Sequence, residues 1–189
     1  MQPDSPRPGV AAGVVAAAAQ GDQQAWNQIV AHYSGLLWAV ARAHRLSSGD
    51  AADVVQTSWL RLVEHLPTIR NPDSVGAWLA TTARRESLRA IRRTARCQPS
   101  DGLEDLVGFA TDDVDARLLR DERDAAVWRA FERLPGRDQA LLRLLVTDPA
   151  PSYEEISAAL GMPIGSIGPT RGRALERLRR ELARVGARA

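Results

Sequence analysis

The chain has 189 residues, a hydrophobic share of 44% and a formal net charge of +2, which is compatible with one medium packed domain or two small ones. Its single cysteine, Cys97, excludes an internal disulfide and a cysteine-based zinc site, and it fits a reducing compartment. The longest apolar run, residues 10–19, is too short and too rich in alanine to cross a bilayer, and it lacks the character of a secretion signal, so we expect a cytoplasmic protein.

Residues 1–13 are predicted to be a flexible tail, because the first nine residues include three prolines and a glycine. A short helix is predicted over residues 10–20. From residue 22 to about residue 46, apolar residues recur every three or four positions, which predicts a longer helix. The sequence Ser47-Ser48-Gly49 is predicted to end it.

A second long helix is predicted from near Asp50 to Pro67, where the proline closes it. Its apolar face, predicted to contact the core, consists of Ala52, Val55, Trp59, Leu62 and Leu66. A separate polar face carries Asp53, Thr57 and Arg61.

The third long helix is predicted from Asn71, a suitable N-cap, to about Arg96, with Pro72 in the first turn, where a missing amide donor does no harm. At about 100° per residue its basic side comprises Trp78, Thr82, Arg85, Arg89, Arg92 and Arg96. Its apolar side comprises Ala80, Ala83, Ser87, Leu88 and Ile91. We therefore expect a basic stripe on a packed helix.

Residues 98–114 lose helical periodicity and gain proline, glycine and acidic residues, which predicts an interdomain linker. A second domain is predicted over residues 115–185, with one helix reaching Leu134 and a further segment from Gly136 to Asp148. No strand alternation is present. The predicted fold class is therefore all-α, with two small helical domains joined by a flexible acidic linker.

The segment from Ser152 to Glu181 has the pattern of a helix-turn-helix. Ser152 is placed to cap the first helix, and Gly161 supplies the backbone freedom that the turn needs. The second helix is predicted to begin near Ser166. Its apolar stripe consists of Ile167, Ala174, Leu178, Leu182 and Val185. Its polar stripe, which is typical of a DNA-reading helix, consists of Ser166, Thr170, Arg173, Arg177, Arg180 and Arg184.

Charge is distributed unevenly along the chain. Residues 84–97 carry six Arg against one Glu, residues 171–189 carry seven Arg against two Glu, and residues 98–124 carry nine acids against three Arg. All basic side chains are Arg, whose forked donors suit phosphate and guanine. Two basic blocks separated by an acidic connector predict two surfaces for polyanions.

Three blocks in this order and spacing resemble the extracytoplasmic-function sigma factors of the sigma-70 family. They are residues 50–62, residues 77–84, and residues 153–167 preceded by Leu134-Pro135. The resemblance covers roughly residues 14–182. It implies a region two over residues 14–97 and a region four over residues 115–185, with no enzymatic activity and no cofactor. The implied partners are core RNA polymerase, promoter DNA and an anti-sigma factor.

The resemblance also implies roles for individual residues. Docking on the clamp helices of the polymerase beta-prime subunit is assigned to Asp53, Gln56, Thr57 and Arg61, and a further polymerase contact is implied with the beta flap. Melting and reading of the minus-ten element are assigned to Ile69, Arg70, Asn71, Trp78, Thr82, Arg84, Arg85 and Arg89. Reading of the minus-thirty-five element is assigned to Ser166, Thr170, Arg171 and Arg173, and Arg177, further along the helix, is expected to contact phosphate in the same element. These roles suit the chemistry, because strand opening needs a base pocket and cations, and a recognition helix reads bases with its N-terminal residues.

The chain departs from the family pattern at both DNA-reading sites. Arg85 stands where the family commonly has Asn, and Arg89 stands where it often has Asp, which leaves the captured minus-ten base open. Gly168-Pro169 replaces a basic and polar pair. With Ser166 as the cap, Pro169 falls in the first helical turn, where its missing donor is tolerated.

Alternative interpretations remain open from the residues alone. The polar face of the second helix could be ordinary solvated surface. Trp26, Trp59 and Trp128 are predicted to pack in the core. The C-terminal arginines could also be explained without DNA, because positive charge is favourable at the C-terminal end of a helix. The acidic linker is either a solvated tether or an RNA-like segment in the polymerase channel.

Two other functions are alternatives to the sigma factor. A conventional helix-turn-helix regulator would explain only the C-terminal part, and a helical enzyme would need a pocket that the sequence does not show. His32, His44 and His65 are scattered without ligand spacing, so neither catalysis nor a metal site is predicted.

Overall fold

The computed structural model describes residues 9–97 and 122–186, and these form eight α-helices. In chain order they are α1 (Ala12–Ala19), α2 (Gln23–Ala43), α3 (Ser48–His65), α4 (Val75–Cys97), α5 (Glu122–Glu132), α6 (Gly136–Leu145), α7 (Tyr153–Leu160) and α8 (Ile164–Gly186). Two short 3-10 turns, Leu66–Thr68 and Pro72–Ser74, connect α3 to α4. The described residues contain no strand, which confirms the all-α prediction. The linker 98–114, the start of the second domain and most of the tail lie outside the described residues.

Side-chain caps explain why several helices begin where they do. The Asp22 carboxylate accepts a hydrogen bond from Ala25 N at 2.9 Å, and the Ser47 hydroxyl accepts one from Asp50 N at 3.1 Å. Ser47 therefore starts α3, and Ser48 and Gly49 lie inside that helix instead of separating two helices as predicted. Asn71 caps the 3-10 turn that precedes α4. Asn71 is thus confirmed as a cap, although of the 3-10 turn before α4, and α3 begins two residues earlier than predicted.

The inward face of α3 differs from the prediction by one residue at its start. Ala51 is buried and Ala52 is exposed, because the buried stripe continues through Val54 and Ser58 to Leu62. Ser58 is tolerated there because its hydroxyl donates to the carbonyl of Val54 at 2.7 Å.

The second segment, residues 122–186, has a small core of its own. Phe131, Leu134, Leu142 and Ala174 form it, and Trp128 packs edge-on against Phe131 with ring centroids 5.6 Å apart. The turn between α5 and α6 is fixed by a buried Gln139, whose amide donates to the carbonyls of Glu132 and Leu134 at 2.9 and 2.8 Å. Residues 122–186 therefore pack partly around a core of their own.

The two segments also share one large core. It combines apolar side chains of α2, α3 and α4 with residues of α6, α7 and α8, among them Leu141, Leu144, Ile156, Ala159, Met162 and Ile167. The most extensive helix contact between the two segments is that of α4 with α7. The sequence predicts two modules but does not indicate their relative position. In the structure one module packs directly on the other.

The start of α8 corrects the predicted cap. The helix begins at Ile164, and Ser166 lies within the first turn with its hydroxyl donating to the Pro163 carbonyl at 2.7 Å. Pro169 is consequently inside the helix, beyond the first turn. The helix starts at Ile164 because Met162 and Ile167 are both buried, which fixes the chain before and after that position. Gly165, Gly168 and Gly172 lie nearby. Relative to alanine, each glycine disfavours the helical conformation of this segment by about 1 kcal/mol, and the proline disfavours it by about 3 kcal/mol.

Candidate nucleic-acid and polymerase interfaces

The polar face of α3 is only partly available to a partner. Asp53 and Gln56 are exposed, whereas Thr57 and Arg61 are half-buried. A guanidinium nitrogen of Arg61 lies 3.1 Å from a carboxylate oxygen of Glu86 on α4, and its Nε is buried without a hydrogen-bond partner among the described residues. Arg61 therefore ties α3 to α4 and offers only part of its charge to a docking partner.

Two large apolar side chains on the same helix were not predicted as site residues. Leu60 is 58% exposed and Val63 is 57% exposed. Both lie off the buried stripe of α3, next to the exposed Asp53 and Gln56 in helical projection. The available signal was a pair of aliphatic residues at positions that the inward face does not use. Exposed aliphatic side chains among polar ones suit a helix-docking surface.

The loop before α4 and the start of α4 place the predicted minus-ten residues in different environments. Arg70 and Asn71 are exposed, but the Asn71 amide oxygen is occupied by Asp73 N at 3.1 Å. Ile69 and Trp78 are half-buried against the core, and the Trp78 ring lies 5.7 Å from that of His65. Only part of this set is therefore free to meet a base.

Further along α4, the predicted stripe divides into exposed and covered residues. Arg85 and Arg89 are exposed, and Arg89 pairs with Glu86 at 2.6 Å. Thr82 is only 9% exposed, which corrects its predicted place on the basic face. Arg84 is half-buried, with its guanidinium against the turn of the helix-turn-helix at Gly161. The packing of α7 on α4 covers Arg84, whereas Thr82 lies about 160° away around α4, between Trp78 and Glu86, on the side that contacts α3.

The helix-turn-helix itself has the predicted local geometry. Ser152 and Glu155 form a reciprocal capping box, with hydrogen bonds of 2.6 and 3.2 Å. Gly161 has a φ of 62°, a left-handed conformation that a side chain would strain. The turn that separates the two helices is therefore set by the residues that the sequence singles out.

The predicted recognition residues occupy the first turns of α8. Arg171 and Arg173 are exposed, and Arg173 donates to the hydroxyl of the half-buried Thr170 at 3.2 Å. Arg177 differs from the others, because it pairs at 2.5 Å with Asp138, whose side chain is 5% exposed. Arg177 therefore anchors α8 to α6, and only part of its guanidinium is available to a ligand.

Close contacts between α4 and the helix-turn-helix leave no room for added atoms. A β-carbon at Gly76 would lie 1.8 Å from a carboxylate oxygen of Glu155 and 2.8 Å from the ring of Tyr33. A β-carbon at Gly161 would lie 2.7 Å from the guanidinium of Arg84. We call this α4–α7 contact, with the adjoining C-terminal end of α2, the closed contact.

His44, the C-cap residue of α2, lies in the closed contact and makes it sensitive to pH. Burial lowers the pKa of His44 below its ordinary value of 6.5, and the charge of Arg84 lowers it further, against an opposing hydrogen bond to the backbone of Ala159. Its Nε2 is buried without a partner among the described residues. The neutral form therefore belongs to the packed state.

We expect the chain to lose stability as the pH falls below 6.5. His44 then gains a proton in the unfolded chain, whereas its lowered pKa keeps it neutral in the folded chain. The thermal midpoint, measured from about pH 7.5 to about pH 5.5, should fall more steeply in the wild type than in a His44→Gln variant. If the thermal midpoints of the wild type and the His44→Gln variant fall equally with pH, His44 is not the source of the pH dependence.

Neither a metal centre nor a membrane helix is found in the described part of the chain. Residues 9–97 and 122–186 contain no group of three His, Cys, Asp or Glu placed to hold a metal ion. None of the helices within these ranges combines the length and apolar character that a membrane crossing requires.

Comparisons with known proteins place the chain near one family of transcription proteins. Residues 29–97 match the family described as Sigma-70 region 2. The chain is 27% identical over 157 residues to the ECF RNA polymerase sigma-E factor of Salmonella typhimurium, covering 78% of this chain and 81% of the relative. It is 29% identical over 171 residues to the ECF RNA polymerase sigma factor SigM of Mycobacterium tuberculosis, covering 90% and 84%.

A solved structure supports the fold independently. The structure of CnrH in complex with the cytosolic domain of CnrY matches with a TM-score of 0.57 at 24% sequence identity, covering 90% of this chain and 95% of CnrH. The helical architecture described above is therefore shared with a solved protein over nearly the whole chain.

Proposed function

The chain belongs to the extracytoplasmic-function sigma factors of the sigma-70 family, and from that membership we propose which surfaces it uses to direct RNA polymerase to promoters. It acts in transcription initiation by binding core polymerase and promoter DNA. A helix-turn-helix regulator that works without polymerase is not favoured, because the Sigma-70 region 2 match covers residues 29–97, far from the helix-turn-helix.

The exposed face of α3 is the proposed polymerase-docking surface. Asp53 and Gln56 supply polar groups, and Leu60 and Val63 supply apolar area that is more than half exposed. A helix that docks in a groove or on another helix uses such a mixed face. We assign this surface to the beta-prime clamp helices, with Thr57 and Arg61 at its edge, and a second polymerase contact to the beta flap, as the family resemblance implies.

The loop before α4 and the exposed arginines of α4 are the proposed minus-ten surface. Arg70, Arg85 and Arg89 provide cations for a freed strand, and Trp78 provides an aromatic face beside them. Thr82 and Arg84 belong to the same proposed surface, but Thr82 is buried on the side of α4 that contacts α3, and α7 covers Arg84 in the closed contact. A role for Arg84 therefore requires α7 to move away from α4.

The first turns of α8 are the proposed minus-thirty-five surface. Thr170, Arg171 and Arg173 lie where a recognition helix contacts base edges in the major groove. Ser166 stands near the turn with its hydroxyl bound to Pro163, and Arg177 stands further along with one nitrogen held by Asp138. Base reading is therefore assigned mainly to Thr170, Arg171 and Arg173.

Promoter spacing supports a large rearrangement between free and working states. The two elements lie roughly 25 base pairs apart by their names, which is about 85 Å on straight B-form DNA. In the free chain α7 rests directly on α4, so the two proposed DNA surfaces cannot both reach their elements from the closed contact. We propose that the segments separate when the chain mounts on polymerase and DNA in the cytoplasm.

A protein partner other than polymerase is also proposed. CnrH was solved in complex with the cytosolic domain of CnrY, and the family resemblance implies an anti-sigma factor. Such a partner would hold this chain away from polymerase.

The observation that carries the proposal is the region 2 match over the segment that presents the exposed α3 face. Run-off transcription tests it, with purified core polymerase and fragments of the source genome as templates. We expect initiation at a discrete set of start sites only when this chain is added. A chain that binds DNA sites but gives no new starts with core polymerase would instead be a conventional regulator.

A further inference from the structure

A basic cleft lies between the α5–α6 turn and the C-terminal half of α8, away from the residues assigned to base reading. Its volume is about 210 Å³, and it is lined by Arg133, Leu134, Pro135, Arg177, Arg180, Glu181 and Arg184. We call it the arginine cleft. Its volume is about seven times the share of one water molecule in liquid water, which leaves room for a hydrated anionic group.

The charges of the arginine cleft do not cancel. Arg177 is paired with Asp138, and Arg184 is paired with Glu181. Arg133 and Arg180 are exposed, and neither forms an ion pair within the described residues. The cleft therefore presents two uncompensated guanidinium groups, each able to bind phosphate oxygens in a forked geometry.

The cleft continues the reading face of α8. At about 100° per residue, Thr170, Arg173, Arg177, Arg180 and Arg184 all fall within about 80° of one another around the helix axis. Arg180 lies roughly 15 Å along the axis from Thr170. The major groove is only about 12 Å wide, so a helix whose first turns read base edges brings a residue at that distance to the phosphates bordering the groove.

We propose that the arginine cleft binds a phosphate of the DNA duplex flanking the site that α8 reads, and that Arg133 and Arg180 are its principal ligands. The inference rests on the proposed function, because it assigns the cleft to the same duplex. The lining favours DNA over a protein partner, since only Leu134 and Pro135 are apolar and the cores of protein interfaces are depleted in charge.

The test is the salt dependence of DNA binding by the full chain. The probe is a fluorescent duplex of about 30 base pairs with random sequence, titrated by anisotropy between about 50 and 300 mM NaCl. An Arg133→Gln/Arg180→Gln variant should lower the slope of log K against log salt by about 0.9, as expected for one lost phosphate contact, and weaken binding about tenfold at about 100 mM salt. Loss of phosphate contacts should reduce affinity equally for all sequences.

Two controls make the result specific to the cleft. An Arg137→Gln/Arg179→Gln variant removes the same charge from exposed positions on α6 and α8 outside the cleft, and it should retain the wild-type slope. An Arg133→Lys/Arg180→Lys variant keeps the charge and should recover most of the slope. Thermal midpoints of all variants report whether the fold is intact.

Two outcomes would overturn the proposal. One is an equal drop in both glutamine variants. The other is an unchanged slope in the cleft variant, which, if polymerase binding is weaker, would assign the cleft to a protein partner. The proposed function fails separately, in the transcription assay, since a chain that never supports initiation could still show the salt effect as a conventional DNA-binding protein.

Discussion

A Leu60→Glu substitution is expected to weaken binding to core RNA polymerase by about 30-fold or more without unfolding the chain. Leu60 is 58% exposed on the proposed docking face of α3, so a glutamate there is solvated in the free protein but must be desolvated on docking. Central apolar anchors of an interface are worth about 2 kcal/mol or more, which corresponds to about 30-fold in Kd. The measurement is the Kd for fluorescently labelled polymerase, accompanied by the thermal midpoint of the variant alone.

The matched control for Leu60 is Val146, which follows α6. It is 82% exposed, so Val146→Glu makes the same chemical change at a surface assigned no partner. We expect that variant to bind polymerase like the wild type. If both variants bind equally well, the α3 face is not the docking surface; if both bind equally poorly, added negative charge alone explains the loss.

A Gly76→Leu substitution is expected to separate the helix-turn-helix from α4. Its β-carbon would lie 1.8 Å from Glu155, and that side chain cannot simply swing away, because it accepts a hydrogen bond from Ser152 N at 2.6 Å in the capping box. Overpacking and loss of the cap together should cost the packed state about 3 kcal/mol. Small-angle scattering should show a larger radius of gyration, and the thermal midpoint should fall.

Gly13 provides the control, because it lies in α1 with no atom within 4 Å of an added β-carbon. Gly13→Ala should leave the scattering profile unchanged and the stability equal or slightly higher. The Gly76→Leu chain should still bind polymerase through α3, since that face lies on another helix. An unaltered radius and midpoint in the Gly76→Leu chain would show that the closed contact is not what holds the segments together.

Local features of the site could be predicted from the sequence because they depend on neighbouring residues. Ser152 and Glu155 are three residues apart, which is the spacing of a capping box, and Gly161 stands where the turn needs a positive φ. The basic side of α4 is also confirmed at Arg85 and Arg89, since helical periodicity alone determines which residues share a face.

The features that could not be predicted depend on contacts between distant parts of the chain. Thr82 belongs to the basic stripe by periodicity, yet it is buried. Arg84 is assigned through the family resemblance, yet α7, some seventy residues later, covers it. Arg177 is drawn to Asp138 by the packing of α8 on α6. Likewise, the start of α8 at Ile164 follows from the burial of Met162 and Ile167, which no local propensity indicates. Long-range packing thus decides which of the predicted residues are available.

The three glycines and the proline in the first turns of α8 have a consequence for how tightly a promoter is held. Their helical form is sustained by burial of Ile167 on one side, so these turns are the part of α8 that opens most readily by local fluctuation. In the proposed minus-thirty-five complex, duplex DNA orders these turns on contact, and that ordering cost is subtracted from the affinity. We therefore expect the chain alone to bind a promoter weakly and to dissociate from it quickly.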